Sequence, residues 1–436
     1  MQVVAKNPNP YGKASTLAVK ELYIPDDVRN EPGGLSDTSE YSLSRMRQTP
    51  NIALFWSRKF GSDPMTNPNL MLRFDVDYIL REGERIYTFY VDKLKFVKKG
   101  QSVSDKYKLL IFIVDSKDAT AYGGGMDDKI GAFWAPPVRM RTAPFGALAH
   151  EMGHSFQYML SLDRRAENRQ RGGGAPSLAE MTSQYMLWQV YPEWLTFENY
   201  HLNDYMKQTH LAFMHPSNMY HAPHVLEFWA NKRGVDIVSR IWQESQAGED
   251  PVVTYKRLTG LDQVAFNDEM FDGVRRFLTW DLKRIEKVAR PYANQHFTKL
   301  DEVGDGWFRI AKNKCPQNYG YNGIRLTVPA SGTKIGLEFK GLAGAEGFNS
   351  VQLEKAGWRY GFLAVTSKGK RVYGKVGSEA NGRLEFAVPK DTKYLWLVVM
   401  GAPTDYWVKG RGDRTEEQWP YQIRLTGAAI DQAAMK

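Results

Sequence analysis

"FGALAHEMGHSFQYML", residues 145–160, decides how this chain is read. Two histidines, His150 and His154, stand four apart with Glu151 beside the first. Phe145, Leu148, Met152, Phe156, Met159 and Leu160 surround them at helical spacing. On an α-helix, residues four apart lie one above the other on the same face, so both imidazoles can point at one ion. Glu151 falls about 100° around the helix from His150, beside that ion but poorly placed to bind it. That is where a general base belongs, because it must reach an attacking water. The helix is apolar on most sides, where unpaired polar side chains are costly, so the pattern predicts a metal centre rather than two surface histidines.

The single cysteine, Cys315, rules out an internal disulfide and a thiolate cluster, leaving His, Asp and Glu as ligands. Catalytic zinc typically takes three protein ligands and a water, so two histidines leave one place to fill. Asp163, Glu167, Glu180, Glu193 and Glu198 all lie downstream. Asp163 and Glu167 fall in the polar, Gly-rich "SLDRRAENRQRGGGAPS". Glu180 sits inside "SLAEMTSQYMLWQVY", an apolar-faced helix able to pack antiparallel to the first and hold a ligand more rigidly than a loop. Glu180 is therefore the expected third ligand of a Zn2+ site. Ser177 and Glu180 also make an S-x-x-E pattern, which a capping box would explain locally.

Outward from this helix the chain changes texture twice. Residues 1–50 are rich in Asn, Pro, Gly and Ser and read as an extended lead-in. From Asn51 come a strand-like run, an amphipathic segment and the buried strand "KYKLLIFIVD". "AYGGGMDDKIGAFWAPP" reads as a glycine turn leading into another strand. Helical spacing then runs from Phe145 to about Pro291. Beyond Asp305, short alternating runs broken by Gly, Pro and Asn predict an antiparallel β-sandwich. The expected organisation is a lead-in over 1–50, a catalytic domain over 51–300 and a sandwich over 305–430.

A composition of 42% hydrophobic and 25% charged residues is that of a folded globular protein. No segment approaches the roughly 18 uninterrupted apolar residues of a membrane helix, so no membrane span is expected. The 58 basic and 49 acidic residues give a net charge of +9, but they are scattered, and nucleic acid is not an expected partner. Twelve Trp and 23 Tyr suit both core packing and stacking on sugar rings. The start, "MQVVAKNPNPYGKAS", has no apolar run of the signal-peptide kind. It fits either a cytoplasmic protein or a mature form whose export signal was removed.

With His150, Glu151, His154 and a helical Glu180, the chain resembles the gluzincin metallopeptidases, whose zinc is held by two histidines and a distant glutamate. "HEMGHSFQ" is most similar to the enhancin-like and mucin-targeting peptidases, and the longer run through "LEFWANKRGVDIVSRIWQESQAGEDP" is similar to a group of secreted bacterial zincin-like domains. The resemblance implies an α+β fold: a zincin-like catalytic domain of mixed sheet plus helical subdomain, followed by the antiparallel sandwich. It implies a secreted or periplasmic zinc peptidase acting on protein or glycoprotein substrates, with zinc and Glu151 activating water.

It also suggests roles for further residues. "EMTSQ" is similar to the E-x-x-S-D of thermolysin-like enzymes, with Gln184 in place of the aspartate that orients a zinc-bound histidine. Tyr220, then His224, are the expected donors to the developing oxyanion. Substrate backbone is expected along Gly131, Ala132, Phe133 and Trp134. The competing reading is a zincin-like binding protein without turnover, whose sandwich contacts carbohydrate or a cell-surface partner; Trp358, Tyr360, Trp396 and Trp407 suit sugar stacking and equally suit the sandwich's own core. Intact Glu151 favours the enzyme, since a binding module has no use for a base beside a metal.

Overall fold

A computed structural model describes residues 19–116, 118–167, 176–409 and 415–431. The first sheet is built from β1 (Met46–Gln48), β2 (Ile52–Trp56), β3 (Leu109–Ile113), β4 (Tyr122–Met126) and β5 (Ile130–Ala135). Their order is β1-β2-β3-β5-β4; β2, β3 and β5 run parallel, while β1 and β4 are antiparallel edges. β2 and β3 are apolar throughout because both faces of the sheet are covered. Leu54, Ile111 and Phe133 face the helices, whereas Phe55, Phe112 and Ala132 face Tyr23, Val28 and Tyr41. The part of the lead-in that the structure describes is therefore a coat on the sheet's outer face that ends in the edge strand β1, not an extended approach. Residues 1–18 lie outside the described residues.

"AYGGGMDD" also departs from the expected turn. Gly123, Gly124 and Gly125 are strand residues of β4, and the turn of the hairpin falls at Asp127 and Asp128, both at positive φ. The glycines are there because the sheet lies hard against the motif helix (Gly146–Ala166). A Cβ at Gly123 would stand 2.4 Å from the Glu151 carbonyl oxygen, and one at Gly125 would stand 2.1 Å from the Tyr158 ring. Side chains at either position would push the sheet away from the motif helix.

On its inner side the sheet carries the helix Val76–Asp92, the motif helix and the partner helix Pro176–Val190. Asp75 caps the first by accepting from the Tyr78 amide, and its Tyr90 hydroxyl donates 2.9 Å to the Ala149 carbonyl, next to His150. Motif and partner helices meet where Gly153 faces Ser183, whose Oγ and Cα would lie 2.9 and 3.2 Å from an added Cβ. At the motif helix's far end, Arg164 donates to the carbonyls of Trp242, Gln243 and Ser245, the orphan C-terminal acceptors of the helix Ile237–Glu244. The remaining helices reach Ala289, close to where helical spacing fades in the sequence.

Among the described residues nine strands follow: β6 (Leu300–Gly304), β7 (Trp307–Ile310), β8 (Tyr321–Leu326), β9 (Lys334–Gly341), β10 (Trp358–Thr366), β11 (Arg371–Tyr373), β12 (Asn381–Ala387), β13 (Thr392–Gly401) and β14 (Tyr421–Thr426). They form two antiparallel sheets, β11-β10-β13-β8 and β12-β9-β14-β7-β6, packed face to face around Phe339, Tyr360, Leu397 and Tyr421. The first of these sheets is buried on both faces. Leu363, Val365, Trp396, Val398 and Met400 point the other way, into the helical core. The sandwich is thus a wall of the helical core, continuous with it in packing.

This burial corrects the carbohydrate reading of the tail. Trp358, Tyr360 and Trp396 are at most 2% exposed and cannot stack on a sugar. The Trp358 indole donates to the Trp419 carbonyl and that of Trp396 to Asn294. Trp407 is half-buried against the sandwich core with Lys355 over its ring.

Candidate metal centre

His150 and His154 project from one face of the motif helix, and Glu180 meets them from the second turn of the partner helix. His150 Nε2 and His154 Nε2 are 3.1 Å apart, and each is 3.1 Å from Glu180 Oε2. These three side chains form a group of ligand atoms able to hold a metal ion. Ser177 is inside the partner helix rather than at its cap, so the local capping explanation for Glu180 does not apply. Glu193 does not belong to this group, and the remaining candidates are engaged elsewhere. Asp163 accepts from the Val103 amide, Glu167 pairs with Lys98, and Glu198 pairs with His201.

The outward nitrogens fix the tautomers. His150 Nδ1 lies 3.2 Å from Gln184 Oε1, and His154 Nδ1 lies 3.2 Å from Gln157 Oε1. Gln157 is itself oriented, since its Nε2 donates to the Ala179 carbonyl and to Ser183 Oγ. Amide oxygens accept, so each imidazole carries its proton on Nδ1 and turns an Nε2 lone pair towards Glu180. Two lone pairs and a carboxylate at 3.1 Å repel one another unless a cation lies between them. Ligands on a tetrahedral zinc with bonds of about 2.0–2.1 Å stand about 3.3 Å apart. The spacing, the donor set and the tautomers therefore fit that ion. Gln157 went unassigned in the sequence reading; its signal was its place three residues after His154, on the same helix face.

Electrostatics around the centre follow from burial and pairing. With no ion between them, a proton on either Nε2 takes its place; burial disfavours the Glu180 carboxylate, but the hydrogen bonds that His150 and His154 then donate outweigh it and hold its pKa well below the usual carboxylate range. Burial also opposes protonation of His154, yet the Glu180 hydrogen bond and charge raise its pKa. Glu151 is 7% exposed, and burial pushes its pKa up, with the two histidines pulling the other way. Among the described residues no hydrogen bond ties up its carboxylate.

Tyr220 is brought to this centre. Its ring stacks on His150 with centroids 6.1 Å apart, and on its other side it stacks on His201, also at 6.1 Å. Burial, then the Glu180 charge, pushes its phenol up to about 12, so it keeps its proton as a donor. His201 in turn has Nδ1 3.0 Å from His221 Nδ1 and Nε2 3.7 Å from Glu198. His224 is elsewhere, which corrects its expected role as oxyanion donor. Its ring is fully buried among Tyr205, Phe277 and Trp280, because the start of the helix Pro223–Arg233 turns it into the aromatic core.

The substrate strand is also corrected. Gly131, Ala132, Phe133 and Trp134 lie in β5, which is paired with β3 on one side and β4 on the other, so its backbone has no free edge. Among the described residues the open edge beside the motif helix belongs to β4.

A family model described as a family of unknown function, DUF6055, matches residues 14–432, nearly the whole chain. The chain belongs to the DUF6055 family. No curated protein matches this DUF6055 chain. Among solved structures it is similar to a mitogen from Yersinia pseudotuberculosis, with 10% identity, 30% of this chain and 86% of the mitogen covered, and a TM-score of 0.19. It is also similar to a glycosylation-associated protein complex from Streptococcus agalactiae, with 11% identity, 30% and 38% covered, and a TM-score of 0.17. Accessory secretory proteins 1, 2 and 3 of Streptococcus pneumoniae give 12% identity, 30% and 85% covered, and a TM-score of 0.17. Likeness this slight carries no inference about the DUF6055 fold or its activity.

Proposed function

We propose that this DUF6055 protein is a zinc-dependent peptidase of the gluzincin kind, hydrolysing peptide bonds in protein or glycoprotein substrates. The observation that carries the reading is the convergence of His150 Nε2, His154 Nε2 and Glu180 Oε2 at 3.1 Å, with a buried, unpaired Glu151 beside them. His150, His154 and Glu180 would hold the ion, and Gln184 and Gln157 would keep the imidazoles in the binding tautomer. When bound, zinc supplies a Lewis acid that acidifies water and polarises a carbonyl.

The rest of the chemistry belongs to the chain. Glu151 takes a proton from the attacking water and returns it to the leaving amine, a task suited to a carboxylate whose pKa burial has raised. Tyr220 donates its phenolic proton in a hydrogen bond to the oxyanion as charge develops there. The free edge of β4 offers backbone hydrogen bonds to an extended substrate.

The test is metal analysis of wild type and Glu180→Ala, together with digestion of a mucin-like substrate, glycosylated and deglycosylated, by wild type and Glu151→Ala. Stoichiometric zinc in wild type and cleavage abolished by Glu151→Ala are expected. Absence of zinc from wild type sinks the reading; zinc without Glu151-dependent cleavage turns it towards a binding protein.

A further inference from the structure

Beside the centre lies a surface that the proposed chemistry leaves unused. Met71, Val138, Phe197 and Tyr200 are 58%, 46%, 65% and 50% exposed. Single exposed apolar side chains are ordinary, but these four come from three separate segments that meet. The turn Leu70–Leu72 packs on the turn Pro137–Arg139, and Arg141 Nη1 lies 3.2 Å from Met71 Sδ. Arg139 Nη1 lies 3.8 Å from Glu198, which accepts from the Tyr200 hydroxyl at 3.2 Å. Phe197 packs 5.0 Å from the Trp194 ring, and Trp194 covers Gly146 at the start of the motif helix.

The ledge runs directly into the site. The Tyr200 ring is 4.1 Å from that of His201, which stacks on Tyr220, which stacks on His150. Arg139 lies beside Glu198, and its charge also reaches Glu151. Its ion pair with Glu198 is long and solvent-exposed, hence weak, and Glu198 is also served by Tyr200 and His201. Arg139 Nε donates 2.8 Å to the Ala119 carbonyl, which fixes the guanidinium in place and leaves its two Nη groups to engage an incoming carboxylate end-on.

We propose that this ledge docks the substrate polypeptide next to the scissile bond and selects segments in which a large apolar side chain lies beside an acidic one. The proposal rests on the reading of the site as a peptidase. The apolar ledge takes the large side chain, and Arg139 and Arg141 at its rim take the acidic one. A second copy of this chain is a poor occupant, because a two-fold contact would set the same arginines against each other.

The experiment measures binding without turnover, by fluorescence anisotropy of labelled decapeptides on full-length Glu151→Gln. One peptide carries adjacent Phe and Glu residues, a second replaces the Glu residues with Lys, and a third replaces the Phe residues with Ser. The first should bind at least tenfold more tightly than the second. Arg139→Gln should weaken it about threefold to tenfold, as loss of one partly screened ion pair does. Phe197→Ser and Met71→Ser, both on exposed side chains, should weaken it while leaving the third peptide unaffected. Equal affinity for the Glu and Lys peptides, or no effect of Arg139→Gln, overturns the proposal. So does concentration-dependent self-association that Phe197→Ser abolishes, which gives the ledge to a second copy. If Glu151→Gln binds the first peptide as expected and wild type does not cleave it, the peptidase reading fails and the docking surface stands.

Discussion

Replacing His224 with Leu should stabilise this protein, and the gain should grow as the medium is acidified. Among the described residues neither ring nitrogen of His224 has a hydrogen-bond partner, and the ring is packed 4.1 Å from Tyr205, 4.7 Å from Phe277 and 5.2 Å from Trp280. An unsatisfied buried polar group costs about 1–3 kcal/mol, which Leu, of similar volume, does not incur. Burial, then the charge of nearby His296, holds the His224 pKa well below its ordinary value.

The unfolded chain's imidazole titrates near pH 6.5 while the folded one stays neutral, so below that pH only the unfolded state gains a proton. Above pH 6.5 this group does not alter stability with pH; below it, stability falls by about 1.4 kcal/mol per unit. Between pH 6.5 and 5.0 that amounts to about 2 kcal/mol for His224. His296, whose pKa burial lowers to about 3, adds a similar loss in both proteins.

Guanidinium denaturation of wild type and His224→Leu at pH 7.5, 6.5 and 5.0 measures the difference, in which other titrations cancel. The gap between the two should be constant from pH 7.5 to 6.5 and widen by about 2 kcal/mol by pH 5.0. A gap that stays constant to pH 5.0 refutes the reasoning, since the folded ring must then accept a proton where it lies.

Three further outcomes are expected. Gln184→Ala should weaken zinc binding by about 10–100-fold in chelator competition, because His150 loses the acceptor that sets its tautomer, and Gln184→Asp should restore it. Gly153→Ala brings a Cβ within 2.9 Å of Ser183 Oγ and 3.2 Å of its Cα, so overpacking of about 1–3 kcal/mol should exceed the helix-propensity gain of about 1 kcal/mol. A lowered Tm rescued by adding Ser183→Gly would bear this out, while a raised Tm in the single variant would count against it. Gly123→Ala sets a Cβ 2.4 Å from the Glu151 carbonyl oxygen and should lower both Tm and zinc occupancy, whereas Gly124→Ala, with nothing within 4 Å, should change occupancy little.

The motif helix was legible because helical periodicity is local: spacing alone puts His150 and His154 on one face. "LLIFI" was legible as a buried strand because both faces of its sheet are covered. The glycines of β4 were misread because their cause is not local. A run of three glycines looks like a turn until the motif helix is laid against it. Residues 19–45 lack periodicity because they coat a sheet rather than belong to one, and burial of Tyr23, Val28 and Tyr41 is visible only once that sheet exists. Tyr220 and His224 are four residues apart in the same stretch, yet one ring stacks on His150 and the other enters the core.

By itself the sequence determined the cast of the site: two imidazoles and a base on one helix, and a carboxylate on another. Only the tertiary structure decided that these groups meet, that Gln157 and Gln184 set the tautomers, and that β4 rather than β5 keeps an open edge. The physical reason is range. Spacing along a helix follows from backbone geometry within a turn or two, but the 3.1 Å between His154 and Glu180 depends on how closely two helices pack. That distance rests on Gly153, inside the motif, and on Ser183 of the partner helix, neither of which is a ligand.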